Sequence, residues 1–480
     1  MPDLYLDLDG QGELYLQLTR ALRRAVQEGR LRPGARLPST RALAEQLAVS
    51  RNTVLSAYEL LRNEHTFASR LGSGTFVADR VAPVTKHQTG SHETAASRYV
   101  QRLRHLPPPQ LRPASPSIRY DLQYGEPIVD PRLTTAWRQA LSRAVVRSDL
   151  RYAPAAGHRA LREAISVLVG RRRGIACSAD DVVVVSGAQQ ALSLALRVLV
   201  DEDEPVVVED PSYPLAAMAI RAHGAQLKTV PVDGEGLDVA QLPQEPPRAI
   251  LVTPSHQFPS GVVMSLRRRR ELLEFAARQG TWVIEDDYDG EFRFAGAPQP
   301  ALRSLDHTGR VIYVGSFSKV LFPTLRLGFV VCPAGLREDL MRAKMLDDLG
   351  CPGMAQLALL DLITSGAYER HLRHALTELR RRRAALLAGL ARHCSPHITV
   401  HDSGAGMHLV GWLRGWSQHD VEPLVRRAQQ RGVGVQAIGP FFDRQPAPAG
   451  LLLGYAGLSA KQITAATAIL GQCLRERDVD

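Results

Sequence analysis

Between residues 119 and 480, short β-branched runs alternate with longer helical patterns, and this rhythm constrains the fold more than any other feature of the chain. The runs Val182–Val185, Val206–Glu209, Ile250–Thr253, Trp282–Glu285, Val311–Val314 and Gly328–Val331 are almost wholly apolar. Strands of that kind are buried on both faces, as in a parallel sheet covered by helices. An α/β domain with a mostly parallel central sheet is therefore expected over 119–480.

Residues upstream do not follow this rhythm. Residues 79–118 are rich in Pro, Ser, Thr and His and read as a linker, with a short helix around Tyr99–Leu106. Residues 1–78 read as a separate small domain. The chain carries 59 Lys and Arg against 49 acids, and the excess is densest in the connecting stretch, where residues 81–120 hold six bases and one acid. Such charge suits nucleic acid without specifying it. The best apolar run, Ala191–Val200, is broken by Arg197 and falls short of the ~18 residues of a membrane span, so no membrane partner is expected. The opening MPDLYLDLDG lacks the basic start of a secretory leader, and Cys177, Cys332, Cys351, Cys394 and Cys473 lie too far apart for a metal-ligand pattern. A reduced, cytoplasmic protein without a metal site is the expectation. The arginine runs 267–270 and 380–383 read as solvated helix faces.

In the small domain, Leu14, Leu18, Leu22 and Val26 recur at helical spacing. Ser39 can cap a second helix carrying Leu43 and Leu47, and Ser50 a third carrying Val54, Tyr58 and Leu61. Two helices joined by a tight turn serve in protein-interaction modules and in helix-turn-helix DNA readers alike. In the latter the second helix enters the major groove by its amino-terminal end, where Arg51, Asn52 and Thr53 stand. The following FASRLGSGTFVAD reads as two strands around a turn at Gly72–Gly74, a β-hairpin wing.

Only five of the 59 bases are lysines, so each asks what arginine could not do in its place. Lys319, in SFSK after the strand VIYVG, is explained if an amine must lose its proton and attack a carbonyl, which a guanidinium cannot do. Upstream, the strand TWVIE runs into Asp286, Asp287 and Tyr288, at the end of a buried strand where open parallel sheets bind ligands. Lysine, carboxylate and phenol together match the needs of pyridoxal phosphate: a Schiff-base amine, a partner for the pyridinium nitrogen and a donor to the ring oxygen. Gly187, Ala188 and Gln189 open a helix after Val182–Val185 and offer backbone N–H groups to a phosphate. Ser316, Ser318 and Arg326 add donors, and Tyr213 could stack on the ring.

The order helix, LPS-capped helix, SRNTV helix and GSGTFV wing closely resembles the winged-helix domain of GntR-type bacterial regulators over residues 10–78. That resemblance implies DNA contacts at Arg41, Arg51, Thr53 and Gly72, with one departure: NEHTF stands where the family usually has a glycine. The strings SGAQQAL, EDPSYP, TPSHQFPSG, EDDYDGEFR and SFSKVLFPTLRLGF follow the order of fold-type I aminotransferases, and their wording resembles the MocR/GabR-type regulators. The implied architecture is multidomain: a winged helix over 1–78, a linker over 79–118, and an aminotransferase-like domain over 119–480. That domain would have a large part at about 165–365 and a small part at about 366–480. Lys319 would hold pyridoxal 5'-phosphate, with Asp286 on the ring nitrogen, Tyr288 on the ring oxygen, and Gly187, Ala188, Gln189, Ser316, Ser318 and Arg326 at the phosphate.

Two departures bear on the ligand. LLLGYAGL has leucines where an arginine would grip an α-carboxylate, and PLAAM after Tyr213 again lacks one. The expected function is a regulator binding double-stranded operator DNA as a homodimer. It would sense the vitamer, an amine or an amino acid when that effector exchanges with Lys319. An active aminotransferase with a DNA-binding appendage is the alternative, with slow half-transamination the most expected. A remnant that binds no cofactor is a third, disfavoured one.

Overall fold

A computed structural model of the chain describes residues 4–70, 74–78, 96–107, 118–128, 130–148, 151–296 and 299–476. They form two compact units, Met1–Ala95 and Ala96–Asp480.

The amino-terminal unit comprises α1 (Leu14–Gln27), α2 (Thr40–Leu47), α3 (Arg51–Asn63) and the antiparallel pair β1 (Phe67–Arg70) and β2 (Gly74–Val77). Both expected caps form: the Ser39 hydroxyl accepts from Ala42 N and the Ser50 hydroxyl from Thr53 N, each at 3.1 Å. Ala48 ends α2 in the left-handed region, which makes the turn into α3 tight. Leu18, Leu22, Leu43, Val54 and Leu61 are buried together, and Tyr58 packs edge-on against Phe67 while its hydroxyl donates to Pro38 O at 3.0 Å. His65, in the NEHTF segment, takes φ +56°, so the conformation that a glycine would adopt freely is kept by a histidine. Gly72, at the expected turn of the wing, lies outside the described residues.

In the second unit the expected short helix is present as α4 (Arg98–His105). It is followed by β3 (Tyr120–Asp121), α5 (Pro131–Arg147), α6 (Arg159–Arg173), β4 (Val182–Val185), α7 (Ala188–Leu199), β5 (Pro205–Asp210), α8 (Pro214–His223) and β6 (Gln226–Asp233). Next come β7 (Gly236–Leu237), β8 (Ala249–Val252), α9 (Leu266–Gln279), β9 (Trp282–Asp287), α10 (Leu302–Leu305), β10 (Val311–Ser316) and β11 (Gly328–Val331). The remainder is α11 (Arg337–Asp348), α12 (Gly353–Thr364), α13 (Ala367–His393), β12 (Ile398–Val400), β13 (His408–Leu413), α14 (Gln418–Gln430), β14 (Val433–Gly434), β15 (Gln436–Ala437), β16 (Gly450–Gly454) and α15 (Ala460–Arg475).

The large sheet has the order β4-β11-β10-β9-β8-β5-β6-β7. Strands β10, β9, β8, β5 and β6 pair in parallel, and β11 is antiparallel to both β10 and β4. The carboxyl ends of β4, β5, β8, β9 and β10 therefore share one edge, and the start of β11 lies there too. Strand alternation sends Val183 and Val185 against α7 and α8 on one face, while Val182 and Val184 join α6 on the other. A second, antiparallel sheet, β12-β13-β16-β15, packs with α13, α14 and α15.

Two arginine expectations need correction. In α9, Arg268 and Arg269 are buried rather than solvated; Arg269 donates to the carbonyls of Met264, Pro300 and Pro254, so the buried charge holds loop backbone in place. In α13, Arg383 is nearly covered and pairs with Asp402, and Arg382 donates to Ala456 O. The part of the connecting stretch that forms α4 is also fixed: Arg102 donates to Ala222 O (2.9 Å) and His223 O (3.2 Å) and pairs with Glu202 at 3.0 Å.

Removing the Ser50 hydroxyl leaves an N–H of the first turn of α3 unpaired, at a cost of about 1 kcal/mol. Amide exchange in α3 of a Ser50→Ala chain should accelerate about fivefold with exchange in β9 unchanged, measured by hydrogen exchange and mass spectrometry.

Candidate functional site

All ten residues expected at the cofactor lie on the carboxyl edge of the large sheet. Gly187, Ala188 and Gln189 follow β4, and Tyr213 follows β5. Asp286 and Tyr288 stand at the end of β9, Ser316, Ser318 and Lys319 at the end of β10, and Arg326 just before β11. Register brings these ends together. Val314 pairs with Asp286, which sets the Lys319 loop beside the acid. Gly328 pairs with both Ser316 and Val185, which brings Arg326 to the start of α7.

Successive residues at the end of β9 face opposite ways. Asp287 takes the Arg173 guanidinium at 2.5 Å and the Tyr313 hydroxyl at 2.7 Å. Burial works against its ionisation, but Arg173 and Tyr313 outweigh it and hold the carboxyl below its usual range. Asp286 has no such support: its Oδ1 is buried without a hydrogen-bond partner. Burial, with Asp287, Asp289 and Glu209 adding their charge, raises its pKa to about 7 against the pull of Lys319.

The Lys319 ammonium donates to Gly125 O at 3.1 Å. Burial lowers its pKa, opposed by Asp289, Glu126 and Asp286. The Tyr288 hydroxyl meets His256 Nδ1 at 3.0 Å, and the same nitrogen lies 3.0 Å from Asp289 Oδ2. Burial, then Asp289 and Asp286, raise the Tyr288 phenol well above its usual range, so it is a donor. Tyr213, Tyr124 and Tyr288 all pack on the Phe258 ring, with centroids 5.1–5.8 Å apart. Burial pushes Tyr213 up to about 12, with Tyr124 and Asp286 adding to the shift and Arg326 opposing it.

At the start of α7, Gly187 has φ +87°, and a side chain there would meet the Arg326 guanidinium at 3.2 Å. Arg326 donates to Ser186 O at 2.7 Å, Gln189 Oε1 is buried without a partner, and the Ser316 hydroxyl accepts from Ser318 N. An anion at this helix start would find N–H groups, a guanidinium and hydroxyls. The unsatisfied Asp286 Oδ1 likewise suits the protonated nitrogen of a ring seated between it, Lys319 and Tyr213. The residues fit pyridoxal phosphate.

The missing carboxylate arginine is also explained locally, because Leu451, Leu452 and Leu453 of β16 are wholly buried core. In the amino-terminal unit, Arg51 and Asn52 are exposed and Thr53 is half-buried against the Ser50 hydroxyl at 2.8 Å; Arg41 is exposed and paired with Glu45. Sequence reasoning missed Gly125, Tyr124, Asp289 and His408. His256, Asp289 and His408 form a buried group with one ligand-type atom each within 4.8 Å of the others. Their signal was faint: Asp289 continues the EDDYD string and His256 lies in SHQFPSG, but His408 comes from a distant strand.

Known proteins resemble the chain in both of its parts. Residues 120–469 match the aminotransferase class I and II family, and residues 14–77 the bacterial regulatory proteins of the gntR family. The chain is 37% identical to the probable rhizopine catabolism regulatory protein MocR of Rhizobium meliloti, over 95% of this chain and 93% of that protein. It is 32% identical to the HTH-type pyridoxine biosynthesis transcriptional regulator PdxR of Corynebacterium glutamicum, over 92% and 91%. Among solved structures it resembles LysN, an α-aminoadipate aminotransferase of Thermus thermophilus complexed with N-(5'-phosphopyridoxyl)-L-leucine. The TM-score is 0.71 at 30% identity, covering 81% of this chain and 99% of that one.

The raised pKa of Asp286 has a consequence for stability. Its contribution is whole below the unfolded value of 3.8 and is lost as pH climbs to about 7. Asp286→Asn is neutral throughout. Without cofactor, the variant should melt above its parent near about pH 8, the gap narrowing toward about pH 5. Calorimetry on both proteins checks this, and a gap independent of pH would contradict it.

Proposed function

The chain belongs to the MocR/GabR-type subfamily of GntR regulators, and from that premise we propose that Lys319 is the attachment point through which it senses an amine or the vitamer itself. It is a transcriptional regulator whose winged helix serves DNA binding and whose aminotransferase-like domain takes pyridoxal phosphate. The reading rests above all on Asp286, a buried carboxyl with an unsatisfied oxygen one strand away from the lysine's loop.

When bound, pyridoxal phosphate supplies an aldehyde that captures an amine and a ring that draws off electrons. Asp286 keeps the ring nitrogen protonated, and Tyr288, oriented by His256, donates to the ring oxygen. Arg326, Gln189, Ser316, Ser318 and the start of α7 at Gly187 and Ala188 hold the phosphate, and Tyr213 covers the ring. Burial favours the neutral amine of Lys319, the form that would attack the cofactor's aldehyde. Whenever it is not joined to a ligand, the Lys319 amine can rest on Gly125 O, with Asp289 and Glu126 close enough to favour its charge. A route outward also exists within this unit. Tyr213 occupies the residue before α8, and Arg102 of α4 holds the last carbonyls of the same helix.

Homodimerisation is part of the proposal. Val146 of α5, Leu346 of α11 and the nearby Tyr152 are each more than 85% exposed, and Val145, Met345 and Leu349 add to the uncovered apolar surface. Among the described residues no helix is long and apolar enough to cross a membrane, and the proposed place of action is the cytoplasm. Two winged helices would then meet two operator half-sites through Arg41, Arg51, Asn52, Thr53 and Gly72.

Lys319→Ala should abolish borohydride-trappable cofactor and the response to added amines while leaving DNA binding intact. Absorbance and a gel-shift titration read the two. Arg51→Ala should weaken operator binding by about 1–3 kcal/mol with an unchanged cofactor spectrum. Multiple-turnover formation of keto acid from candidate amines would replace the sensor with an enzyme.

A further inference from the structure

Behind the end of β9 lies a second cavity of about 320 Å³, walled by Arg171, Arg173, His256, Arg269, Asp289 and Arg293 among others. Its donors outnumber their partners. Arg293 Nε and His256 Nε2 are buried nitrogens without a hydrogen-bond partner, while Arg173 Nη2 has only the Glu291 carboxylate at 3.0 Å. Among the described residues, neither Arg171 nor Arg293 takes part in any ion pair or side-chain hydrogen bond. His256 itself is 2% exposed. The acids at this wall are two: Glu291 lies 3.0 Å from Arg173, and Asp289 holds His256 at 3.0 Å through Oδ2 and leaves Oδ1 buried without a partner, against five lining arginines.

A half-buried Arg293 beside buried, unsatisfied N–H groups is costly unless an anion joins it, and the exposed Arg171 adds positive charge at the same wall. Guanidinium groups favour carboxylate and phosphate oxygens, to which each can donate two hydrogen bonds at once. The volume suits a small metabolite. The phosphate cradle at Arg326 and the start of α7 shares none of these residues, so the two anion sites are separate.

We propose that this cavity is a second ligand site for a compact oxyanion of two or more charges, and that His256 connects its occupant to Tyr288. The imidazole lines the cavity while its Nδ1 touches the Tyr288 hydroxyl, so an anion that shifts the ring shifts the donor aimed at the cofactor. This connection rests on the reading of Tyr288 given above; the cavity itself does not.

The test uses the full chain loaded with pyridoxal phosphate, which fills the Arg326 cradle, at ionic strength held constant with sodium chloride. Calorimetric titration with inorganic phosphate in one arm and citrate in the other separates phosphorylated from polycarboxylate ligands. Saturable binding is expected in at least one arm, at least tenfold weaker in Arg293→Gln and in Arg171→Gln, with borohydride labelling of Lys319 unchanged. The cofactor's absorbance band should move with the same midpoint. No saturable heat in either arm, or unaltered binding in both variants, overturns the site. Saturable heat with an unmoved band overturns the connection through His256. If Lys319 fails to label, the cofactor reading falls, and the heats still decide the cavity.

Discussion

Four carboxyl groups, Glu209, Glu285, Asp286 and Asp287, are buried at neighbouring strand ends, and the order of the site depends on how each is balanced. Glu285 accepts from Leu302 N and Arg303 N at the start of α10. Glu209 braces Thr253 and Gln257, and so the loop that carries His256. Asp287 is neutralised by Arg173. Three of the four thus hold the scaffold, whereas the fourth, Asp286, keeps a buried oxygen without a hydrogen-bond partner. Burial drives Glu209, Glu285 and Asp286 each up to about 7, and a cationic ring nitrogen beside Asp286 would relieve the part of that cost which falls on its carboxyl.

Much of this was legible in the residues. The buried strands announce themselves by unbroken Val and Ile runs, and a parallel sheet gathers its carboxyl ends on one edge without further information. Caps at Ser39 and Ser50 are local signals, and they hold. What escaped detection depends on tertiary contact. Gly125 reaches Lys319 across 194 positions, and His408 stands by His256 because β13 belongs to a different sheet. The buried Arg268 and Arg269 were misread for a related reason. An arginine run has the same composition whether it faces water or a set of loop carbonyls, and only the fold decides which.

The arrangement also separates positioning from chemistry. Leu451–Leu453 fill a core where an aminotransferase would be expected to grip a carboxylate, while the lysine, acid and phosphate positions keep their geometry. On the proposed reading, such a site would exchange amines without the usual grip on a substrate carboxylate, which suits a domain that reports on ligands.

Docking of α4 changes the leash on the DNA-reading head. Read as one connecting stretch of about 40 residues, the chain could pay out more than ~100 Å, at ~3.3 Å per residue. Because Arg102 fastens α4 to the end of α8, only the 20 steps from Ala78 to Arg98 remain, and the greatest reach falls to roughly 65 Å. Arg102 thus sets, by a single side chain, how many residues count as part of the second unit.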